Sequence, residues 1–292
     1  MAAPRAISTL IEKLSFPEGL RWRGDTLWCS DILGHRVLKI DADGRVAEAA
    51  RLADRPSGLG FLPDGTPLVV SMTDRTLLAI SRDGTLRVHA DLRKLSGHFI
   101  NDMVVDRNGR AYIGSRNGGG PAAASDSIIM VEAYGQARVV AEGMVSPNGS
   151  VVTPDGKFLI VAETALGRLT RFRIGAGGDL SHRETLAELP GRHIDGICMD
   201  TQGAFWCGGG ESGALHIGAD GKLLDLIEQP GRMVLATALG GEDGRTLFLA
   251  TTGVVLIDIL REIGFDRARD ATVDPQGRID LTNVSVPGIG CP

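Results

Sequence analysis

Pro56-Ser57-Gly58-Leu59-Gly60-Phe61-Leu62-Pro63-Asp64-Gly65-Thr66-Pro67-Leu68-Val69-Val70-Ser71 carries an Asp-Gly turn leading into a β-branched run, the pattern of one arm of a β-hairpin. The turn recurs along the chain. Arg23-Gly24, Asp64-Gly65, Asn108-Gly109, Asp155-Gly156, Gln202-Gly203 and Asp243-Gly244 follow one another with glycine-to-glycine gaps of 41, 44, 47, 47 and 41 residues. A second series, Asp43-Gly44, Asp83-Gly84, Tyr134-Gly135, Gly177-Gly178 and Asp220-Gly221, falls between them, so each unit holds two hairpins.

Short apolar segments sit between these turns and read as strands: Thr26–Ser30, Val37–Asp41, Leu68–Met72, Thr76–Ile80, Ala111–Ser115, Phe158–Ala162, Leu169–Ile174 and Leu247–Thr251. Four short strands per unit of roughly 40–45 residues predict an all-β, six-bladed β-propeller with four-stranded blades around a central channel. Residues 1–292 are read as one propeller domain. Ile257–Ile263 has a helical look but lies beside a strand-like run and is read as strand and loop. Ile7–Leu14, or the tail from Gly277, is expected to close the ring on the last blade and hide an exposed edge.

Composition narrows the partners. Thirty-one basic against 36 acidic residues give a net charge of −5 with no basic stripe, which argues against nucleic acid and anionic membranes. The first residues lack the apolar core of a secretory signal, and no apolar run approaches the ~18 residues of a membrane span, so a cytoplasmic location is expected. Cys198 and Cys207 flank one predicted turn; with Cys29 and Cys291 they are read as free thiols.

Residues at equivalent places in successive inner strands converge on the channel axis. Eight residues before each turn glycine stand Ser57, Asn101, Asn148, Asp195 and Ala236, and Pro17-Glu18-Gly19-Leu20 aligns with Pro56-Ser57-Gly58-Leu59 to place Glu18 in the same ring. Glu18, Asn101, Asn148 and Asp195 form an all-oxygen set that suits one divalent metal ion, Ca2+ first, with Mg2+, Mn2+ or Zn2+ as alternatives. Ser57 and Ala236 are expected to leave two sides open for a ligand. The glycines after Glu18, Ser57, Asn148 and Asp195 are expected to let the backbone approach the centre.

The chain resembles the gluconolactonase, senescence-marker-protein (regucalcin) and luciferin-regenerating-enzyme family. The resemblance rests on Phe16-Pro-Glu-Gly-Leu-Arg-Trp, Leu27-Trp-Cys-Ser-Asp-Ile, Asn101-Asp-Met-Val-Val-Asp, Ser146-Pro-Asn-Gly, Ile194-Asp-Gly-Ile-Cys-Met-Asp and Val286-Pro-Gly-Ile-Gly-Cys-Pro, in that order. It implies that Glu18, Asn148 and Asp195 bind the metal, that Asn101 completes its shell directly or through water, and that the reaction is lactone hydrolysis on a small-molecule lactone or ester. Asp195 is expected to serve as ligand and general base together. Alternatives are a phosphotriesterase of the diisopropylfluorophosphatase type, a calcium- or ligand-binding propeller without catalysis, and a metal-free scaffold similar to strictosidine synthase.

Sugar-lactone members commonly carry an Arg two residues before the Asn that matches Asn101; here Phe99 stands there, which implies a less polar substrate. Arg116 is a candidate donor to a substrate carbonyl or carboxylate. His193, two residues before Asp195, is a candidate for substrate contact or proton transfer, with His98 and His35 as further mouth candidates. His35, His89, His182 and His216 otherwise read as structural or solvent-facing. Strand alternation is expected to turn Asp102 away from the face of Asn101. Gly118, Gly119 and Gly120 are expected to form a flexible loop over the channel.

Overall fold

The computed structural model describes residues 5–118, 123–254 and 275–290. β1 (Ser8–Leu14) is followed by a first blade of β2 (Pro17–Arg23), β3 (Thr26–Asp31), β4 (Arg36–Ile40) and β5 (Val46–Arg51). The second blade is β6 (Pro56–Phe61), β7 (Pro67–Ser71), β8 (Thr76–Ile80) and β9 (Leu86–Asp91), and the third β10 (Phe99–Val105), β11 (Ala111–Arg116), β12 (Asp126–Val131) and β13 (Ala137–Met144). The fourth blade is β14 (Pro147–Val152), β15 (Phe158–Glu163), β16 (Arg168–Ile174) and β17 (Leu180–Glu188), and the fifth β18 (Ile197–Met199), β19 (Phe205–Gly208), β20 (Ala214–Ile217) and β21 (Leu223–Ile227). β22 (Arg232–Gly240), β23 (Thr246–Gly253) and β24 (Gly277–Asn283) complete the described strands.

The first five blades are antiparallel meanders, and the sixth runs β22-β23-β24-β1, so the strand nearest the start of the chain supplies the outer strand of the last blade. Both expected closing segments therefore take part: β24 joins β23 and β1 adds outside it. The ring closes through β22 against β2, where Trp22 and Phe248 stack with centroids 5.2 Å apart. This is a six-bladed β-propeller.

The turns that mark the repeat have a common cause. Asp64, Asp106, Asp155, Asp200 and Asp243 each accept the N–H of the residue two positions on, which fixes each tight turn before its glycine. Between blades, apolar faces pack sheet on sheet; Leu68, Val70, Ile113 and Ile129 are fully buried between the second and third. Burying each such side chain contributes about 1.5–3 kcal/mol.

Glycine after the ring residue serves the neighbouring blade rather than the channel centre, which corrects the reading above. A Cβ on Gly149 would lie 2.4 Å from the Asp195 carbonyl oxygen, and one on Gly196 2.6 Å from the Ala236 Cβ. Only hydrogen at these positions lets adjacent inner strands approach so closely. Cys198 and Cys207 sit on the paired strands β18 and β19, and Cys29, Cys198 and Cys207 are free thiols. Ile257–Ile263, Gly119, Gly120 and Cys291 lie outside the described residues. Among the described residues no helix is long and apolar enough to cross a membrane.

Candidate active site

Glu18, Asn101, Asn148 and Asp195, from four different blades, line one cavity of about 350 Å3 at the mouth of the channel. The register explains the convergence. In β2, β6, β10 and β14 the pairing with the next strand shifts just past the ring position, between Glu18 and Arg21, Pro56 and Leu59, Ile100 and Met103, and Pro147 and Ser150. Such a bulge bends the strand and re-aims its side chains.

Asp102, expected to face away from Asn101, does not line the cavity. It is buried, and its charge acts on both Glu18 and Asp195. Arg21 crosses from the first blade to meet Asp102 Oδ1 at 3.2 Å and also donates to the Met103 carbonyl. The buried Asp102 carboxylate is thus balanced by a guanidinium.

Burial, then the charges of Asp195 and Asp102, holds the Glu18 carboxyl well above the usual carboxylate range, although the Gly19 N–H and Arg21 oppose this. Burial and the Asp102 charge push Asp195 up to about 8, against a hydrogen bond from Asn148. Asn148 Nδ2 also donates to Thr164 Oγ1 at 3.2 Å, which fixes the amide. Ser57 donates its hydroxyl to Asn101 Oδ1 at 3.1 Å and does not itself line the cavity. Ala236 is buried against Gly196 and does not line the cavity.

The donor set fits a hard divalent cation. Asp195 Oδ1 is buried with no hydrogen-bond partner, and Asp195, whose charge raises the proton affinity of Glu18, shares the cavity with Glu18 and two amides. Among the described residues no group of three or more His, Cys, Asp or Glu is arranged to hold a metal, so a site here depends on Asn101 and Asn148.

Buried carboxylates at the ends of the second and third strands hold the mouth in shape, a layer that counting along the repeat did not reveal. Asp31 accepts the Ser15 and Phe16 N–H groups just before Glu18 and pairs with Arg36. Asp126 accepts the Ser146 N–H, and Glu163 accepts the Val145 N–H, just before Asn148. The sequence signal is an acidic residue at the end or start of an otherwise apolar strand, which cannot stay buried unpaired.

Phe99 lines the cavity with Phe16, Ile32 and Met72, giving an apolar wall on the side of the first three blades. His98 is exposed and also lines the cavity. Arg116 is engaged elsewhere: it forms an ion pair with buried Asp126 at 2.8 Å, lies over the Phe99 ring, and does not line the cavity. His193 is exposed and outside the cavity lining. His35 is half-buried in the β3–β4 turn in the left-handed region, and His216 stacks on Trp206 and meets Asp200 at 3.1 Å. One residue that counting did not single out does line the cavity: Arg55, buried, from the second blade.

The chain is similar to several known proteins. Over 282 residues the chain is 27% identical to the 6-deoxy-6-sulfogluconolactonase of Pseudomonas putida, covering 92% of this chain and 91% of that one. It is 26% identical to a pentonolactonase of Haloferax volcanii, covering 81% of each. Among solved structures, a calcium-binding regucalcin of Agrobacterium tumefaciens superposes with a TM-score of 0.80 at 25% identity, covering 100% of this chain and 99% of that one. A luciferin-regenerating enzyme shares the fold with a TM-score of 0.80 at 17% identity, covering 98% of each. The SMP-30/gluconolactonase/LRE-like region matches residues 16–253, and the chain belongs to that family.

Proposed function

We propose that this chain is a lactone hydrolase dependent on one divalent cation, calcium by preference, held by Glu18, Asn101, Asn148 and Asp195. The observation that carries the reading is that Asp195, whose Oδ1 is buried and unpartnered, lines one cavity with those three residues. The lactonase names of two relatives that match along most of their length support it.

A bound divalent cation supplies polarisation of a carbonyl and a lowered pKa for water. The protein's own residues do the rest. Asp195 accepts the proton of the water that attacks the ring ester carbonyl, and Asn148, itself fixed by Thr164, orients that carboxylate. Ser57 holds the Asn101 amide in place by donating to its Oδ1. Phe99, Met72, Ile32 and Phe16 cover the non-reacting part of the ring, which favours a substrate less polar than a sugar lactone.

The test is hydrolysis of aliphatic, aromatic and sugar lactones and a phosphotriester, before and after exhaustive chelation and again after calcium is restored. Lactone turnover that vanishes with the metal and returns with calcium supports the reading. Turnover that survives complete metal removal, or turnover of the phosphotriester alone, overturns it.

A further inference from the structure

Opening a lactone needs a proton for the oxygen that leaves as well as a base for the water that attacks. Few of the groups lining the mouth cavity can supply that proton. Glu18 and Asp195 are the proposed anionic ligands of the cation, and the amides of Asn101 and Asn148 keep their hydrogens. The Thr73 hydroxyl donates to Asp54 Oδ1, and a guanidinium such as that of Arg55 does not release its proton in proteins. Apart from His98, the remaining lining is apolar. His98 is the one histidine among the described residues lining that cavity.

The residue is exposed, so its imidazole can exchange protons with water, yet the chain that carries it is tied down. The His98 N–H donates to the Arg116 carbonyl at 3.0 Å, at the end of β11, and the Gly97 N–H donates to Asn117 Oδ1 at 2.8 Å. From the second blade, Arg75 donates to the Ser96 carbonyl at 3.0 Å, and Ser96 Oγ donates to the Phe99 carbonyl at 3.2 Å. The imidazole meets the Phe99 ring edge-on, with centroids 5.2 Å apart and planes at 63°. It therefore stands beside the apolar wall of the cavity.

Phe99 precedes Asn101 by two residues on β10, so the apolar wall and the oxygen set are contiguous on the third blade. A lactone with its carbonyl at the oxygen set and its carbon skeleton on Phe99 keeps its ring oxygen, one bond from the carbonyl carbon, in the cavity that His98 lines. His193 and His35 are outside that lining.

Building on the lactonase reading, we propose that His98 is a catalytic acid that protonates the departing ring oxygen. Water bonds to the carbonyl carbon and gives one proton to Asp195. As the ring C–O bond breaks, its electron pair stays on the oxygen and takes the His98 proton, which leaves an alcohol. The new carboxylic acid ionises, Asp195 returns its proton to water and His98 regains one from water, so one proton is released for each ester opened.

δ-Valerolactone and dihydrocoumarin, both less polar than a sugar lactone, differ in how much their leaving oxygen needs that proton. The first releases an alkoxide about as basic as hydroxide, and the second a phenoxide, whose parent acid is about as strong as a tyrosine side chain and which departs unprotonated. At saturating calcium, His98→Gln should lower kcat for δ-valerolactone about a hundredfold and kcat for dihydrocoumarin less than about threefold. Calcium affinity, read by calorimetry, should be equal in the two proteins. A loss shared by both lactones, no loss with either, or markedly weaker calcium binding by His98→Gln overturns the proposal and leaves the lactonase reading standing; no loss would mean that Asp195 hands its own proton to the ring oxygen. Wild type that opens neither lactone overturns both.

Discussion

Asp126 Oδ2, on the third blade, accepts the Ser146 N–H at 2.9 Å, two residues before Asn148 on the fourth. The same carboxylate pairs with Arg116 and accepts the Asn117 N–H. It is almost fully buried, so its loss leaves two amide hydrogens and a half-buried guanidinium without their acceptor. Asp126→Ala should lower stability by about 2–4 kcal/mol in urea unfolding and weaken calcium binding measurably, because the strand carrying Asn148 loses its tether. A variant with lowered stability but unchanged calcium affinity would show that the tether does not set the site.

In the proposed mechanism Asp195 acts both on the cation and on the attacking water. Asp195→Asn keeps an oxygen donor but cannot accept a proton. Turnover of the preferred lactone should fall about a hundredfold or more, while calcium affinity, read by calorimetry, should fall much less. Equal losses in both would leave Asp195 a ligand without a role as base.

Gly149 separates Asn148 from the rest of its strand and faces the Asp195 backbone. A methyl group there would lie 2.4 Å from the Asp195 carbonyl oxygen and 2.5 Å from the Ile197 nitrogen, both main-chain atoms that cannot swing away. Gly149→Ala should therefore cost about 1–3 kcal/mol and spread Asn148 from Asp195. Thermal unfolding and calcium titration together check this; a variant indistinguishable from wild type in both would show that the inner strands slide freely.

Phe99 supplies apolar wall beside Met72, with the Arg116 guanidinium 5.6 Å from its ring. Phe99→Ala should raise KM for an aryl- or alkyl-substituted lactone by about tenfold, the worth of roughly half a covered phenyl ring, and change kcat little. An unsubstituted lactone should be spared. Equal effects on both would place Phe99 outside the path of the substrate.

The repeat was legible because each Asp-Gly turn is local chemistry: an aspartate accepting an N–H two residues on, then a glycine with positive φ, as at Asp64 and Gly65. Once the turns were counted, Asn101, Asn148 and Asp195 followed from equal spacing, and Glu18 from aligning Pro17-Glu18-Gly19-Leu20 with Pro56-Ser57-Gly58-Leu59. The partner of Asp102 was not legible, since Arg21 stands 81 residues away on another blade and such a pair leaves no periodic trace. Arg116 was misread for a related reason: its partner Asp126 is ten residues away across a loop, and an ion pair of that kind leaves no periodic trace. Arg55 was legible in principle, at ten residues before Gly65, but only a count that runs two places past the ring would find it.

Proton competition offers the last measurement. Burial and the Asp102 charge push Asp195 up to about 8 in the cation-free protein, and Glu18 is raised as well. An acid whose pKa is raised on folding binds its proton more tightly in the native state than in the unfolded one. The cation-free protein should therefore lose stability as pH rises from the unfolded carboxylate range, near 4, through about 8. Calcium requires both groups ionised, so its binding must expel protons, and affinity should climb with pH through about 8, where Asp195 ionises. Calorimetry of calcium uptake in two buffers of different ionisation enthalpy, at about pH 6 and about pH 9, reads the proton count directly. Release of about one proton or more at the lower pH and fewer at the higher is the expected result; uptake without proton release at either pH would mean that the ion does not meet Asp195 and Glu18.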